Sequence, residues 1–251
     1  MHKRALYSEL AEYYDHIYWW KDYRLEVDFL QKVLVKHKVF GGRILEVACG
    51  TGSHTKLLAA RGYDVTGLDL SEDVLRVAKR KLRGRAKLVK GDMRNLDMSI
   101  KGEFDSVVCL FSAISYNVGV PEFKRTLKGF HQHLRKGGVA IFDTHFTKRD
   151  FRDGYRSEDI FDDGKVIGAR LSLSTRKANV GRISFTYLIK DGRRVIVLRN
   201  DIHQLGLLDP EEFIGLMKEV GFRKAEVYQD WTVPKRGERT PGRENIFVGV
   251  K

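Results

Sequence analysis

Between Arg43 and Ser53 the chain reads Arg-Ile-Leu-Glu-Val-Ala-Cys-Gly-Thr-Gly-Ser, an apolar run of strand length that ends in a glycine pair just before an amphipathic stretch of helix length. Gly50 and Gly52 permit φ > 0 and let a ligand approach the backbone with no Cβ in the way, while the helix that follows offers free amides. A second apolar run, 64–69, ends in Asp69, whose carboxylate can accept both hydroxyls of a ribose lying across the first two strand ends. Taken singly, the glycines read equally well as a tight strand-to-helix turn, and Asp69 as a capping residue near Ser71. Taken together they point to a nucleoside. A dinucleotide fingerprint would require a third glycine where this chain has Thr55.

From position 43 to 139 apolar runs at 43–48, 64–69, 86–90, 104–110 and 138–143 alternate with amphipathic stretches at 53–61, 71–83 and 121–135. This alternation predicts parallel strands joined by crossover helices. Gly62 and Gly84 fall where helices should stop, and Ser71 followed by Asp73 supplies a helix start. Upstream, residues 6–38 carry apolar side chains at mixed three and four spacing, which predicts two amphipathic helices. The aromatics Tyr18, Trp19 and Trp20 between them serve either as core or as one wall of a pocket. Residues 148–208 change character. Alternating segments at 165–176, 182–190 and 194–204, joined at Asp163-Gly164, Val180-Gly181 and Asp191-Gly192, predict an antiparallel meander. A helix after Asp209-Pro210, a strand at 222–228, a loop at 234–243 and a last strand at 245–250 complete the pattern.

A length of 251 residues suits one α/β core with an insertion, and 42% hydrophobic with 31% charged residues suits a folded globular chain. Cys49 and Cys109 both lie within apolar runs, the opposite of a secreted disulfide framework, so a cytoplasmic location is expected. No leader-like or membrane-spanning apolar run is expected. The net charge of +13 raises nucleic acid as a partner, but the cations are scattered, as in Lys79-Arg80-Lys81, Arg193-Arg194 and Lys235-Arg236, which is the pattern of a solvated surface. Abundant lysine, arginine and glutamate with scarce amides also matches proteins that work at high temperature.

The stretch Glu46 through Gly52 resembles the first motif of class I S-adenosylmethionine-dependent methyltransferases. Asp69-Leu70-Ser71, Gly91-Asp92-Met93, 104–109 and Leu134-Arg135-Lys136-Gly137-Gly138 are similar to that family's later motifs, in the same order and at matching spacing. The resemblance, which extends to small-molecule members such as glycine/sarcosine N-methyltransferases, implies a Rossmann-like, doubly wound sheet of seven strands. It is mostly parallel with an antiparallel last strand, and carries an antiparallel β insertion. The implied domains are an N-terminal helical lid at 1–38, a core at 39–147 and 209–251, and an insertion at 148–208 acting as substrate cap or dimer surface. The implied cofactor is S-adenosyl-L-methionine. Asp69 with Leu70 would hold its ribose, Asp92 and Met93 its adenine, and Glu46, Ala48, Gly50 and Gly52 its methionine moiety. Leu110, with Phe111 beside it, falls at the methionine end. Tyr14 is the leading candidate to close over the site, ahead of Tyr13 and Trp20.

Methyl transfer is an in-line displacement, so the protein's main tasks are alignment and exclusion of water. If the acceptor must lose a proton, Tyr116, Asp143, His145 and His203 are the candidate bases, with His145 first because it follows the fifth strand. The 110–116 segment reads Leu-Phe-Ser-Ala-Ile-Ser-Tyr, without the Asn- or Asp-Pro-Pro-Tyr string expected of amino-directed nucleic-acid enzymes, and Cys109 lacks a preceding proline. A small-molecule N or O acceptor is therefore the first reading, an RNA or protein acceptor the second, and a non-catalytic binding module the third. No metal is expected.

Overall fold

The computed structural model describes residues 4–231 and 244–251. Seven strands, β1 (Arg43–Val47), β2 (Asp64–Asp69), β3 (Lys87–Lys90), β4 (Phe104–Cys109), β5 (Leu134–Thr144), β10 (Lys224–Gln229) and β11 (Asn245–Val250), form one sheet. Its order is β10-β11-β5-β4-β1-β2-β3, and β11 alone runs antiparallel to its neighbours. A second sheet holds β6 (Arg156–Asp162), β7 (Val166–Lys177), β8 (Val180–Asp191) and β9 (Arg194–Gly206) in a meander.

Alternation along the central strands makes two cores. Leu45, Val47, Val107, Cys109, Ala140 and Phe142 face α5 (Val120–His133) and α6 (Pro210–Glu219). Ile44, Val108, Val139 and Ile141 face α2 (Tyr23–Lys36) and α3 (Ser53–Ala60). Both faces are covered, as a parallel sheet requires. Helix starts are chemically fixed. Asp22 accepts from Arg24 N and Leu25 N at 3.0 Å, Ser71 caps α4 (Glu72–Leu82) through Asp73 N, and Asp209 with Glu212 forms a capping box at α6 with Pro210 in its first turn.

Several expectations need correction. The first predicted N-terminal helix is a chain of tight turns, Ala5–Tyr7 and Ala11–Tyr13, followed by one α turn, α1 (Tyr14–Ile17). Its apolar spacing serves a different partner: Leu6, Leu10, Tyr13, Ile17 and Tyr18 pack onto Phe161, Val166, Tyr187 and Ile189 of the second sheet. That sheet has four strands where three were expected. The edge strand β6 is charged and carries only Ile160 and Phe161 as large apolar residues, so alternation does not reveal it. The β7–β8 turn falls at Ala178 and Asn179, with Ala178 at φ +52°, and Gly181 lies inside β8 against the Phe151 ring. The predicted loop 234–243 lies outside the described residues. Among the described residues, no helix is long and apolar enough to cross a membrane.

Candidate active site

At the carboxyl ends of β1, β2, β3 and β4 the parallel sheet opens onto a cavity of about 610 Å³. The strand order reverses beside β1, which is where ligands of open α/β sheets bind. The turn from β1 into α3 forms one wall. Ala48, Gly50 and Gly52 have φ of +58°, +55° and +78°, so the backbone curls and its 48–51 portion faces the cavity. Ala48 adopts this conformation at a steric cost that glycine would avoid.

Asp69 is held by two amides, accepting from Gly50 N and Ser71 N at 2.9 Å. Burial raises its carboxyl above the usual value, and the N–H donors of Ser71, Gly50 and Leu70 oppose that rise. Asp69 thus orients the turn and lines the cavity, while the cap of α4 falls to Ser71. Asp92 lines it too, but its carboxylate already accepts from Arg94 N, from Arg94 Nε at 2.9 Å and from Arg94 Nη2 at 2.6 Å. Burial would raise Asp92, yet the Arg94 hydrogen bonds and charge outweigh it and hold the carboxyl below its usual range. Arg94 was not legible as a site residue, because nothing in the spacing told a salt-bridged Asp92 from a free one.

Of the sequence-derived site residues, Tyr14, Ala48, Gly50, Asp69, Leu70, Asp92, Met93 and Leu110 line the cavity. Glu46 and Gly52 do not. Gly52 caps α3 and approaches α4, where an added Cβ would sit 3.2 Å from Leu82. Glu46 is buried beneath the turn, where Thr55 Oγ1 donates to it and His54 Nδ1 lies 3.7 Å away. Thus Thr55, in place of a third glycine, anchors the strand's own acid. His54 Nε2 is 2.6 Å from Glu26 of α2, and Glu26 is paired with the buried Lys21, so this network continues into the N-terminal segment. Tyr13 and Trp20 point elsewhere: Tyr13 donates to Asp191 at 3.0 Å, and Trp20 is exposed.

The far end of the cavity is aromatic, with Tyr7, Tyr14, Tyr23, Phe111 and Tyr116. Tyr7 was not expected. Phe111 and Ser112 both have positive φ, at +61° and +57°, and Ser112 N donates to Asp143 at 2.8 Å, which holds this strained turn. The candidate bases separate accordingly. Asp143 and His145 lie outside the cavity lining with Glu244, their ligand-type atoms within 4.8 Å of one another. Tyr116 lines the cavity, and His203 stands directly behind it, with Nδ1 at 2.5 Å from the Tyr116 hydroxyl.

A family model described as a methyltransferase domain matches residues 44–138. A dTDP-3-amino-3,6-dideoxy-alpha-D-glucopyranose N,N-dimethyltransferase from Streptomyces fradiae is 33% identical over 213 residues, 84% of this chain and 82% of that protein. The chain belongs to the S-adenosylmethionine-dependent methyltransferases. A glycine/sarcosine N-methyltransferase from Halorhodospira halochloris is 29% identical over 229 residues, covering 88% and 80% of the two chains. The SAM-bound structure of CalS10, an amino pentose methyltransferase from Micromonospora echinaspora, superposes with a TM-score of 0.76 at 27% identity over 92% of each chain. The seven-stranded sheet with one antiparallel strand and the separate antiparallel sheet are this methyltransferase fold. The methyltransferase uses S-adenosyl-L-methionine. The site fits that cofactor, with an amide-oriented acid at the second strand end and a glycine turn where a Cβ at Gly50 would meet only open space.

Proposed function

We propose that this methyltransferase methylates the amino group of a small acceptor that also carries an anionic group, an amino sugar linked to a nucleotide being the best fit. The observation that carries this reading is Arg4. It lines the aromatic end of the cavity with its guanidinium 4.3 Å from the Tyr116 ring centroid, a cation beside the place an acceptor would occupy. The named substrates of relatives, a dTDP-linked amino sugar and glycine or sarcosine, share an amine with a phosphate or carboxylate.

In this reading Asp69 accepts the ribose hydroxyls and Leu70 packs beside them. Asp92, its carboxylate set by Arg94, and Met93 face the adenine. Ala48 and Gly50 meet the methionine moiety, with Glu46 and Gly52 supporting the turn from behind. Leu110 and Tyr14 border the reacting end. Residues 4–38 act as the lid: Asp15 of α1 pairs with Lys81 of α4 at 2.7 Å, and Thr51 donates to Asp15 at 2.7 Å, fastening the segment across the turn. The 148–208 insertion backs the lid rather than lining the cavity, and its outer face makes it a dimer surface. A cytoplasmic enzyme is in keeping with its two buried free cysteines. Nucleic acid is not favoured, because the acceptor end is walled by tyrosines under the lid.

The test is formation of S-adenosylhomocysteine across a panel of nucleotide-linked amino sugars, free amino sugars, glycine, sarcosine, hydroxyl acceptors and RNA. Turnover with an anionic amine and not with its hydroxyl analogue is expected. Turnover confined to hydroxyls or RNA would overturn the reading.

A further inference from the structure

Behind the aromatic end of the cavity runs a continuous line of hydrogen bonds that the core fold does not require. Tyr7 Oη lies 2.8 Å from Tyr116 Oη, Tyr116 Oη 2.5 Å from His203 Nδ1, and His203 Nε2 3.0 Å from Asp201 Oδ2. Asp201 also accepts the amides of Ala5 at 2.8 Å and Leu6 at 3.0 Å. Asp201 and His203 are buried on β9, where a carboxylate and an imidazole are costly unless paired. Burial would raise the Asp201 carboxyl, but His203 and the two amides outweigh it and keep the group ionised. An ionised Asp201 fixes the histidine tautomer. Nε2 carries the proton and donates it to Asp201, so Nδ1 is an acceptor and the Tyr116 hydroxyl donates to it. With its own proton on His203, the Tyr116 oxygen accepts from the Tyr7 hydroxyl at 2.8 Å, and its second lone pair is left for a donor on the cavity side.

We propose that Tyr116, His203 and Asp201 form a proton relay that takes the proton from the acceptor's ammonium group, with Asp201 tying the relay to the lid. The proposal rests on the amine reading above. An ammonium group has no lone pair and cannot attack a methyl group. When an acceptor N–H proton passes to the Tyr116 oxygen, the Tyr116 proton passes to His203 Nδ1, and the imidazolium is stabilised by Asp201. The freed nitrogen lone pair forms the N–C bond as the C–S bond breaks, and sulfur keeps that electron pair. After product leaves, His203 returns the proton through Tyr116 to the cavity. The same carboxylate that orients His203 binds the first two amides of the lid, so the relay is complete only with residues 5–7 seated and Tyr7 in line. Tyr116 is the residue that touches the acceptor. His203 and Asp201 are positioning residues. The charged and titratable groups around the relay are Arg4, Tyr7, Tyr14, Tyr18, Tyr187 and Asp201.

The experiment compares wild type with Tyr116→Phe, His203→Asn and Asp201→Asn, measuring kcat for the best amine acceptor from pH 6 to 10. Affinity for S-adenosylhomocysteine serves as a check that each variant folds. Each variant is expected to lose about 10- to 100-fold in kcat below the acceptor's own pKa and to recover most of it above, where the amine is already free. A loss equal at all pH values, or no loss, overturns the relay while leaving the acceptor reading intact. Failure of the acceptor reading would show in the wild type, as an absence of turnover with every amine.

Discussion

Asp15 and Lys81 lie 2.7 Å apart, and Lys81 Nζ also donates to Ser53 Oγ at 2.8 Å and Thr51 Oγ1 at 3.0 Å, so one ammonium joins the N-terminal segment, the β1–α3 turn and α4. Tyr14, which lines the cavity, is the residue before Asp15, so this contact holds that tyrosine's turn in place. Asp15→Ala should therefore weaken S-adenosylmethionine binding about three- to tenfold, with little change in stability, since partly exposed ion pairs contribute little to folding. Calorimetry measures the first quantity and a melting curve the second. A change in stability without a change in affinity would dissociate the lid from cofactor binding.

Asp69 carries a sharper expectation. Its carboxylate is oriented by two amides before any ligand arrives, so removing its charge forfeits charge-assisted hydrogen bonds of about 1.5–3 kcal/mol. Asp69→Asn retains an acceptor for one of those amides and should raise the dissociation constants of both S-adenosylmethionine and S-adenosylhomocysteine by about 10- to 100-fold. Unchanged affinity for both would remove Asp69 from the ribose contact.

The parallel core was legible because its central strands are buried on both faces and its crossover helices carry their own starts and stops. Ser71, Gly62 and Gly84 do what their positions promised, and the last strand falls at Asn245–Val250 as expected. What escaped depends on pairs distant in sequence. Asp201 meets Ala5 across 196 positions, and Tyr116 meets His203 across 87, so neither partnership leaves a local periodicity. The 6–17 segment misled for the same reason, because its apolar spacing answers to the second sheet rather than to a helix of its own. His145 ranked first among the bases from its place after β5, but β5 ends facing β11, away from the cavity.

The carboxylates of Asp143 and Glu244 face each other; among the described residues no donor reaches Asp143 Oδ1, while Glu244 Oε1 lies 3.1 Å from His145 Nε2. Burial, and then Glu244, push the Asp143 carboxyl well above its ordinary value of 3.8. A carboxyl raised in the folded state stabilises the fold fully below the unfolded value, and that contribution is lost as the pH climbs through the folded value. Asp143→Asn keeps an acceptor for Ser112 N and offers an amide donor toward Glu244, removing the cost of the second charge. It should raise the melting temperature by about 2–6 °C at pH 8 and by progressively less toward pH 4. A melting series across that range checks the slope. Destabilisation of the variant at pH 8, with a divalent cation raising the melting temperature of the wild type but not of the variant, would instead mean that Asp143, His145 and Glu244 hold a metal.

The second sheet packs only one of its faces. In register across its four strands lie Ile160, Ala169, Leu188 and Val197, with Ile160 78%, Leu188 49% and Val197 55% exposed. Ile167, Leu171, Leu173 and Val195 add further exposed apolar surface on the same strands. A contiguous apolar sheet face of this kind marks an interface, and the same row presented by a second copy is complementary to itself about a twofold axis. Leu188 lies in one of the two central strands of that row, where a charge would be placed between two apolar surfaces. Leu188→Arg should thus convert a dimer to a monomer in light scattering, with the wild-type melting temperature falling on dilution and the variant's remaining constant. A wild type that is monomeric at micromolar concentrations would leave this face to another partner and exclude the insertion as a dimer surface.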